Sequence, residues 1–394
     1  MKGGGAVAKK RLVALALIAP LAVFLFLFFA WPLVTMMSSA VSDPGASRNL
    51  PQTAGVIADW DGTSSPSPEL QQALVNDLRA ISDDQIIGDL TRRLNSAKSG
   101  FRTLMAKTVS EVRAGDRAID LVALDKRWAD PPFWQAIAAA TASPYTDRNL
   151  LAALDLMRSP TGEIVQMPEG SSANLVILQR TLVIAGGTTL ACVLIGLPYA
   201  MVTASVTGWK RHALLGAVLL PLWTSLLVRT AAWFILLQDN GIINRLLQSA
   251  GLIDSPLALL FNRTGVIIAM THVLLPFMVL PIFSVLIAIP ANLMPAAASL
   301  GAHPLRAFWR VLLPLSLRGV VSGSLLVFMA AIGYYITPAL IGGPTDQMMS
   351  SVIAFYAMGT ANWGMAGALG IVLLLATIAL FVVYDRLSNE PGRA

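Results

Sequence analysis

Long apolar runs separated by short polar connectors make up most of this chain, and one extended polar stretch interrupts them. The runs lie near residues 12–37, 175–206, 213–237, 265–289, 319–341 and 364–384. Each holds the roughly 20 residues that an α-helix needs to cross a hydrocarbon core, so the pattern predicts six membrane-spanning helices. Pro198, Pro221, Pro276 and Pro281 fall inside these runs, where packed membrane helices tolerate proline. Gly319 and Gly323 stand four apart, the small-residue spacing that lets two helices approach closely.

Residues 43–172 read differently. Ser67-Pro68-Glu69 is a helix start, followed by Leu70, Leu74, Leu78 and Ile81 at helical spacing. Ser82-Asp83-Asp84-Gln85 fits a capping box ahead of Ile86, Ile87, Leu90 and Leu94. Pro131-Pro132 opens another helix, Ser143-Pro144 breaks the chain, and residues 147–158 offer a last helix. This stretch predicts a soluble helical insertion between helices 1 and 2, long enough for a small core of its own.

Composition agrees with a membrane protein. Of 394 residues, 55% are hydrophobic and only 13% charged. The net charge of +6 would suit a nucleic-acid binder, but its distribution does not. Residues 43–172 carry 13 Lys/Arg against 17 Asp/Glu, a net of −4, and the remainder a net of +10, gathered in the short connectors. With the N-terminus inside, six spans put Lys210-Arg211, Arg306-Arg310-Arg318 and Arg386-Arg393 all on the cytoplasmic side, as the positive-inside rule requires. Lys2, Lys9, Lys10 and Arg11 precede the first run; Ser38-Ser39-Ala40 could end a signal peptide, but the run is long enough to span and reads as an uncleaved helix. The expected organisation is a cytoplasmic N-terminus and first helix over 1–42, an extracytoplasmic insertion over 43–172, a membrane core over 173–386 and a cytoplasmic tail over 387–394.

Catalytic chemistry is missing. His212, His272 and His303 are isolated in separate segments, which indicates neither a metal cluster nor a triad. The single cysteine, Cys192, lies in an apolar run. No Gly-Lys dipeptide occurs, so there is no phosphate-cradling loop. An ATP-driven process would need ATP and magnesium bound on another subunit, and no cofactor or metal is expected in this chain.

The connector over residues 290–318 is the most informative. Asn292 can cap a short helix that Gly301 stops, and Pro304 can start a second carrying Arg306 and Arg310 four residues apart. Leu313 and Pro314 then return the chain to the membrane. Ala296-Ala297, Gly301 three residues on, and Val311-x-Leu313-Pro314 after nine more resemble the signature loop of type I, binding-protein-dependent ABC-importer permeases. In that family the loop docks on the ATPase subunit. The resemblance implies a coupling role for Pro295, Ala296, Ala297, Gly301, Ala302, Arg306, Arg310, Leu313 and Pro314. Pro295 stands where the family usually has Glu, which removes a carboxylate, and Val311 replaces Ile.

Four further stretches, over residues 227–233, 238–244, 272–281 and 334–344, are similar to the spermidine/putrescine permease subfamily. The resemblance covers the first helix and nearly everything after Asn174; the insertion matches less securely. The resemblance implies a bacterial inner-membrane permease paired with a second permease, ABC ATPase subunits and a periplasmic binding protein, importing polyamines or a related small solute. Arg229, Trp233, Asp239, Tyr334, Tyr335 and Thr337 are candidate pathway residues, because charges at membrane depth line cavities or find partners. The aromatics could face a cation, at roughly 0.5–2 kcal/mol each. Interfacial anchoring is the plainer role for Trp and Tyr, and Arg229 unpaired would instead favour an anionic solute. A neutral or anionic solute, an ion-coupled secondary transporter and an anchored scaffold are the competing readings. The secondary transporter would want buried mid-membrane carboxylates, which the runs lack.

Overall fold

A computed structural model describes residues 16–42, 45–115, 119–142, 145–159, 162–168 and 170–388. Lys2, Lys9, Lys10 and Arg11, the Ser143-Pro144 break, Arg393 and most of the 387–394 tail lie outside the described residues. The chain divides into two compact units, Met1–Leu150 and Leu151–Ala394.

The first unit begins with α1 (Ala16–Ser38), an apolar helix long enough to span, which carries a π-helical turn at Phe26–Ala30. The insertion follows as α2 (Pro51–Ile57), α3 (Pro68–Ala80), α4 (Asp84–Ala97), α5 (Phe101–Ala114) and α6 (Pro131–Ala142). Ser67 caps α3 by accepting from the Leu70 N–H at 3.2 Å. At α4 the cap is Asp83, one residue later than the Ser82 box predicts; its carboxylate accepts from the Gln85 N–H at 2.8 Å. The apolar stripes of these helices close over Phe101, Trp128, Phe133 and Trp134. Both indoles satisfy their N–H groups as they are buried: Trp128 donates to the Thr108 hydroxyl at 3.0 Å and Trp134 to the Trp128 carbonyl at 2.8 Å. Asp77, buried on α3, accepts from the Thr53 N–H and hydroxyl at 2.7 Å each and from the Gln52 N–H at 3.2 Å, so it closes the N-terminus of α2. The last helix predicted here is shorter than residues 147–158. It covers Arg148–Ala153, and a hairpin of β1 (Leu156–Arg158) and β2 (Ile164–Gln166) follows. Asp155 at φ 59° turns the chain between them.

The second unit is a helical bundle built on three long helices. They are α7 (Asn174–Ser205), α11 (Arg263–Ala288) and α13 (Pro304–Ile332), with the broken pair α8 (Trp209–Trp223) and α9 (Leu226–Leu236) and the short helix α10 (Ile242–Ser249) between the first two. The α7 and α11 helices run parallel: Gly187 lies on Ile267 and Gly196 on Met278. The α13 helix runs antiparallel, with Gly319 on Pro281 and Ile282 and Gly323 on Met278. This arrangement gathers Lys210-Arg211, the end of α11 and the cationic start of α13 at one end of the bundle. There Arg211 lies over the Phe283 ring at 6.0 Å. A last helix, α16 (Trp363–Ser388), brings Arg386 back toward that end, and its Tyr384 hydroxyl donates to the Val321 carbonyl.

Two of the predicted spans are broken. The run over residues 213–237 bends by 101° between α8 and α9; among the described residues five helices are long and apolar enough to span, or up to six if the bent pair counts as one span. Thr224 and Ser225 are extended, with ψ of 151° and 143°, and the Thr224 hydroxyl turns back to the Pro221 carbonyl at 3.0 Å. The run over 319–341 stops helical packing at Ile332; Gly333 and the two tyrosines separate it from α14 (Ile336–Ile341), and α15 (Met349–Gly359) precedes α16.

Candidate functional site: an exposed elbow and a cluster around Arg229

The elbow begins with α12 (Leu293–Ser299). Asn292 occupies the cap position but makes no side-chain cap bond, because its backbone is already helical (φ −81°, ψ −12°). At the other end Gly301 takes φ +82°. Its N–H bonds the Ala298 carbonyl at 2.9 Å and the Ala302 N–H reaches the Ala297 carbonyl at 3.0 Å, the paired bonds of a Schellman stop. Pro295 and Ala296 are exposed on α12 and Ala297 is half-buried. Past the turn His303 caps α13, accepting at Nδ1 from the Leu305 N–H, with Pro304 at the first helical position.

The second helix is not a separate cytoplasmic piece. It runs straight on from Pro304 to Ile332, so Leu313 and Pro314 lie inside α13. A π-helical turn at Phe308–Leu312 makes this possible, with the Leu313 N–H bonded back to the Phe308 carbonyl. Pro314 has no N–H for the Arg310 carbonyl, and the wider turn ahead of it relieves the clash of its ring. Arg306 and Arg310 are exposed, and beside them stand Leu300 (89% exposed), Leu305 (65%) and Trp309 (64%). An apolar, cationic-edged knob held by a rigid turn is a surface that wants a partner.

The second cluster is built on α9. Trp233 lies one turn beyond Arg229 and donates its indole N–H to Nδ1 of His272 on α11 at 3.0 Å, with the rings 5.4 Å apart. Thr230, on the buried face, meets the buried Thr337 of α14 hydroxyl to hydroxyl at 3.2 Å. Arg229 acts electrostatically on both His272 and Tyr334, and its Nε is buried with no hydrogen-bond partner. The Tyr334 carbonyl accepts from Ser350 at 2.6 Å, which fixes the bend between α13 and α14. Thus Arg229 and Trp233 stand a turn apart on α9, with His272 against Trp233 and Tyr334 within electrostatic reach of Arg229, while Thr337 meets the neighbouring Thr230 instead. Asp239 does not join them: it is exposed in the turn after α9 and pairs with none of them. Tyr335 lines a shallow groove with Ala339, Phe355 and Met358 instead. His272, isolated in the sequence, is the member that residue spacing alone does not reveal; a polar residue at mid-run, four before Pro276, is its one signal.

A helical bundle of long apolar helices, a broken span and a protruding helix–Gly–helix elbow define a membrane permease of the binding-protein-dependent kind. Residues 193–390 match the family described as binding-protein-dependent transport system inner membrane component, and the chain belongs to that family. It is 34% identical over 217 residues to the spermidine/putrescine transport system permease protein PotB of Haemophilus influenzae, covering 55% of this chain and 76% of that protein. The PotB of Escherichia coli K12 is 34% identical over 213 residues, 54% of this chain and 78% of that one. The molybdenum transport system permease ModB of Mycobacterium bovis is 30% identical over 263 residues, 66% of this chain and 96% of that protein. The chain is therefore a multi-pass permease subunit of an ABC importer, and the secondary-transporter and scaffold readings fall away. The insertion precedes the residues matched by the family.

Proposed function

We propose that this chain pairs with a second, related permease, two ABC ATPase subunits and a periplasmic binding protein to import polyamines. The solute class rests on its likeness to the two PotB proteins, whose names carry spermidine and putrescine. The elbow carries the coupling. Its left-handed Gly301 and exposed Leu300, Leu305 and Trp309 form a rigid apolar knob continuous with α13, so a push on the knob is delivered along a spanning helix. ATP and magnesium belong to the ATPase subunits. The cationic end of the bundle faces the cytoplasm, as do both termini, and the insertion faces the periplasm. Arg229, Trp233, Tyr334 and Thr337 line the pathway, with Tyr335 and Asp239 nearer its edge.

The test is uptake by proteoliposomes holding both permeases, the ATPase and the binding protein. Putrescine or spermidine should accumulate on ATP hydrolysis. Gly301→Val, which places a β-branched residue at φ +82°, should abolish uptake and weaken ATPase association while the bundle still inserts. The space around Gly301 is open, so the effect would come from backbone conformation and not from a clash. Normal uptake in a well-expressed variant removes the coupling role; uptake of other solutes but neither polyamine removes the polyamine assignment alone.

A further inference from the structure

Arg229 is the residue that a cation pathway does not explain. Its Nε is buried with no hydrogen-bond partner among the described residues, on a half-buried side chain in an apolar run, and a guanidinium at membrane depth is costly unless a partner or a water-lined cavity meets it. The groups around it are donors. Trp233 donates to Nδ1 of His272 at 3.0 Å, so the neutral imidazole carries its proton on Nε2. Among the described residues neither that Nε2 nor the Tyr334 hydroxyl is hydrogen-bonded, and both rings lie within electrostatic reach of Arg229.

The chain's own carboxylates are elsewhere. Between residues 174 and 345 the acidic residues are Asp239 and Asp254, both exposed. Asp239 lies ten residues beyond Arg229, about 15 Å at the rise of an α-helix, and past the end of α9. Asp346 is buried but already engaged by Arg263, Nε to Oδ1 at 3.4 Å. A guanidinium, an imidazole N–H and a phenol O–H, with no carboxylate among them, offer donors that match the lone pairs of one carboxylate.

We propose that Arg229, His272 and Tyr334 form a receptor for a single carboxylate brought from outside this chain. This rests on the permease reading and not on the polyamine one. Two sources share the chemistry. An Asp or Glu of the second permease would neutralise Arg229 permanently, and would let the putrescine dication or the spermidine trication pass the aromatic faces of Trp233 and Tyr334. A carboxylate on the solute would be gripped only during passage.

The experiment uses the complete importer with Arg229→Gln, Arg229→Lys and Tyr334→Phe. The last deletes a single hydroxyl and keeps the ring, so it remains informative if the charge variants fold poorly. Two readouts separate the sources: thermal stability and recovery of the permease pair without solute, and uptake of putrescine and of ornithine, the same diamine skeleton bearing a carboxylate. A partner carboxylate predicts that Arg229→Gln lowers the pair's Tm by several degrees and its recovery several-fold with no solute present, and that Arg229→Lys restores part of both. A solute carboxylate predicts an unchanged pair, wild-type uptake of ornithine, and a KM for ornithine raised about tenfold by Arg229→Gln and less by Tyr334→Phe. An unchanged or more stable Arg229→Gln pair, with no change in uptake of either diamine, overturns the receptor. Failure of the wild type to import putrescine refutes the polyamine reading alone, and the pair-stability readout still decides the receptor.

Discussion

At the scale of single residues, the bundle depends on where a side chain is absent. A Cβ on Gly319 would sit 2.8 Å from the Ile282 Cα and 3.0 Å from the Pro281 carbonyl oxygen, and one on Gly323 3.0 Å from the Met278 carbonyl oxygen. These are backbone atoms of α11 and cannot step aside, so helix separation is the only relief. Gly319→Leu should therefore destabilise the protein by at least the roughly 1–3 kcal/mol typical of overpacking, read as a lower Tm in detergent, while Gly370→Leu, with nothing within 4 Å of its Cβ, should not. The insertion offers a second case. Arg127 holds Asp125 by a side-chain pair at 2.8 Å and also reaches the Gly100 carbonyl and the Thr103 hydroxyl, so it ties two loops together. Chiefly through that hydrogen bond, the Asp125 carboxyl is lowered to about 2. A carboxylate depressed in the folded state contributes stability that is fully present above its unfolded value of about 4 and lost as pH falls through its folded one. Acid unfolding followed by tryptophan fluorescence should show Asp125→Asn less stable at pH 7, with the difference from wild type shrinking between about pH 4 and pH 2.

Elements show which parts of the fold the pattern of residues could and could not carry. Long spans were legible because twenty apolar residues in a row have few alternatives in water or lipid. The stop at Gly301 was legible for a local reason, a glycine two residues before a His-Pro start. The bend at Thr224-Ser225 was not, since Pro221 and two small polar residues inside an apolar run are equally compatible with a continuous packed membrane helix. Nor was the continuity of α13, because Pro314 reads as a helix start until the π-turn before it is seen. Most hidden was the joining of Trp233 to His272, 39 residues apart, which needs the tertiary packing of α9 on α11. The loop after α9 shows how one buried residue can organise an element. Asn244 donates to the Gln238 and Leu257 carbonyls at 3.1 and 3.0 Å and accepts from the Leu257 N–H at 2.9 Å. Asn244→Ala would leave these groups unmatched, at about 1–3 kcal/mol. Hydrogen exchange at residues 250–257 should accelerate in that variant, while exchange in α7 and α13 stays as in the wild type; unchanged exchange in the loop would show that Asn244 is not its clamp.

On the scale of the whole molecule, the open matter is which way the chain crosses the membrane, and the bundle itself constrains it. Because α7 and α11 run parallel and α13 antiparallel, Lys210, Arg211, Arg306, Arg310 and Arg318 share one end, whatever the orientation in the bilayer. In the proposed topology this end faces the cytoplasm, because carrying that charge across is costly and the inner surface is anionic. The insertion, joined to the opposite end of α7, then belongs outside. The chain lends itself to a direct check, since its single cysteine, Cys192, is buried between α7 and α11 and hydrogen-bonded to the Thr271 carbonyl at 3.6 Å. A native background should therefore label weakly. Introduced singly, Asp120→Cys in the insertion should react with a membrane-impermeant maleimide on intact cells once the outer membrane is made permeable. Leu305→Cys, on the exposed face of the elbow, should react only after the inner membrane is opened. Reaction of both from the same side would require an even number of crossings between them, whereas α7, the bent α8–α9 pair and α11 make three, so it would overturn the six-span topology. Because α7 and α11 run parallel, the α8–α9 pair has to return the chain across the membrane between them, which keeps the insertion and the elbow at opposite ends of the bundle.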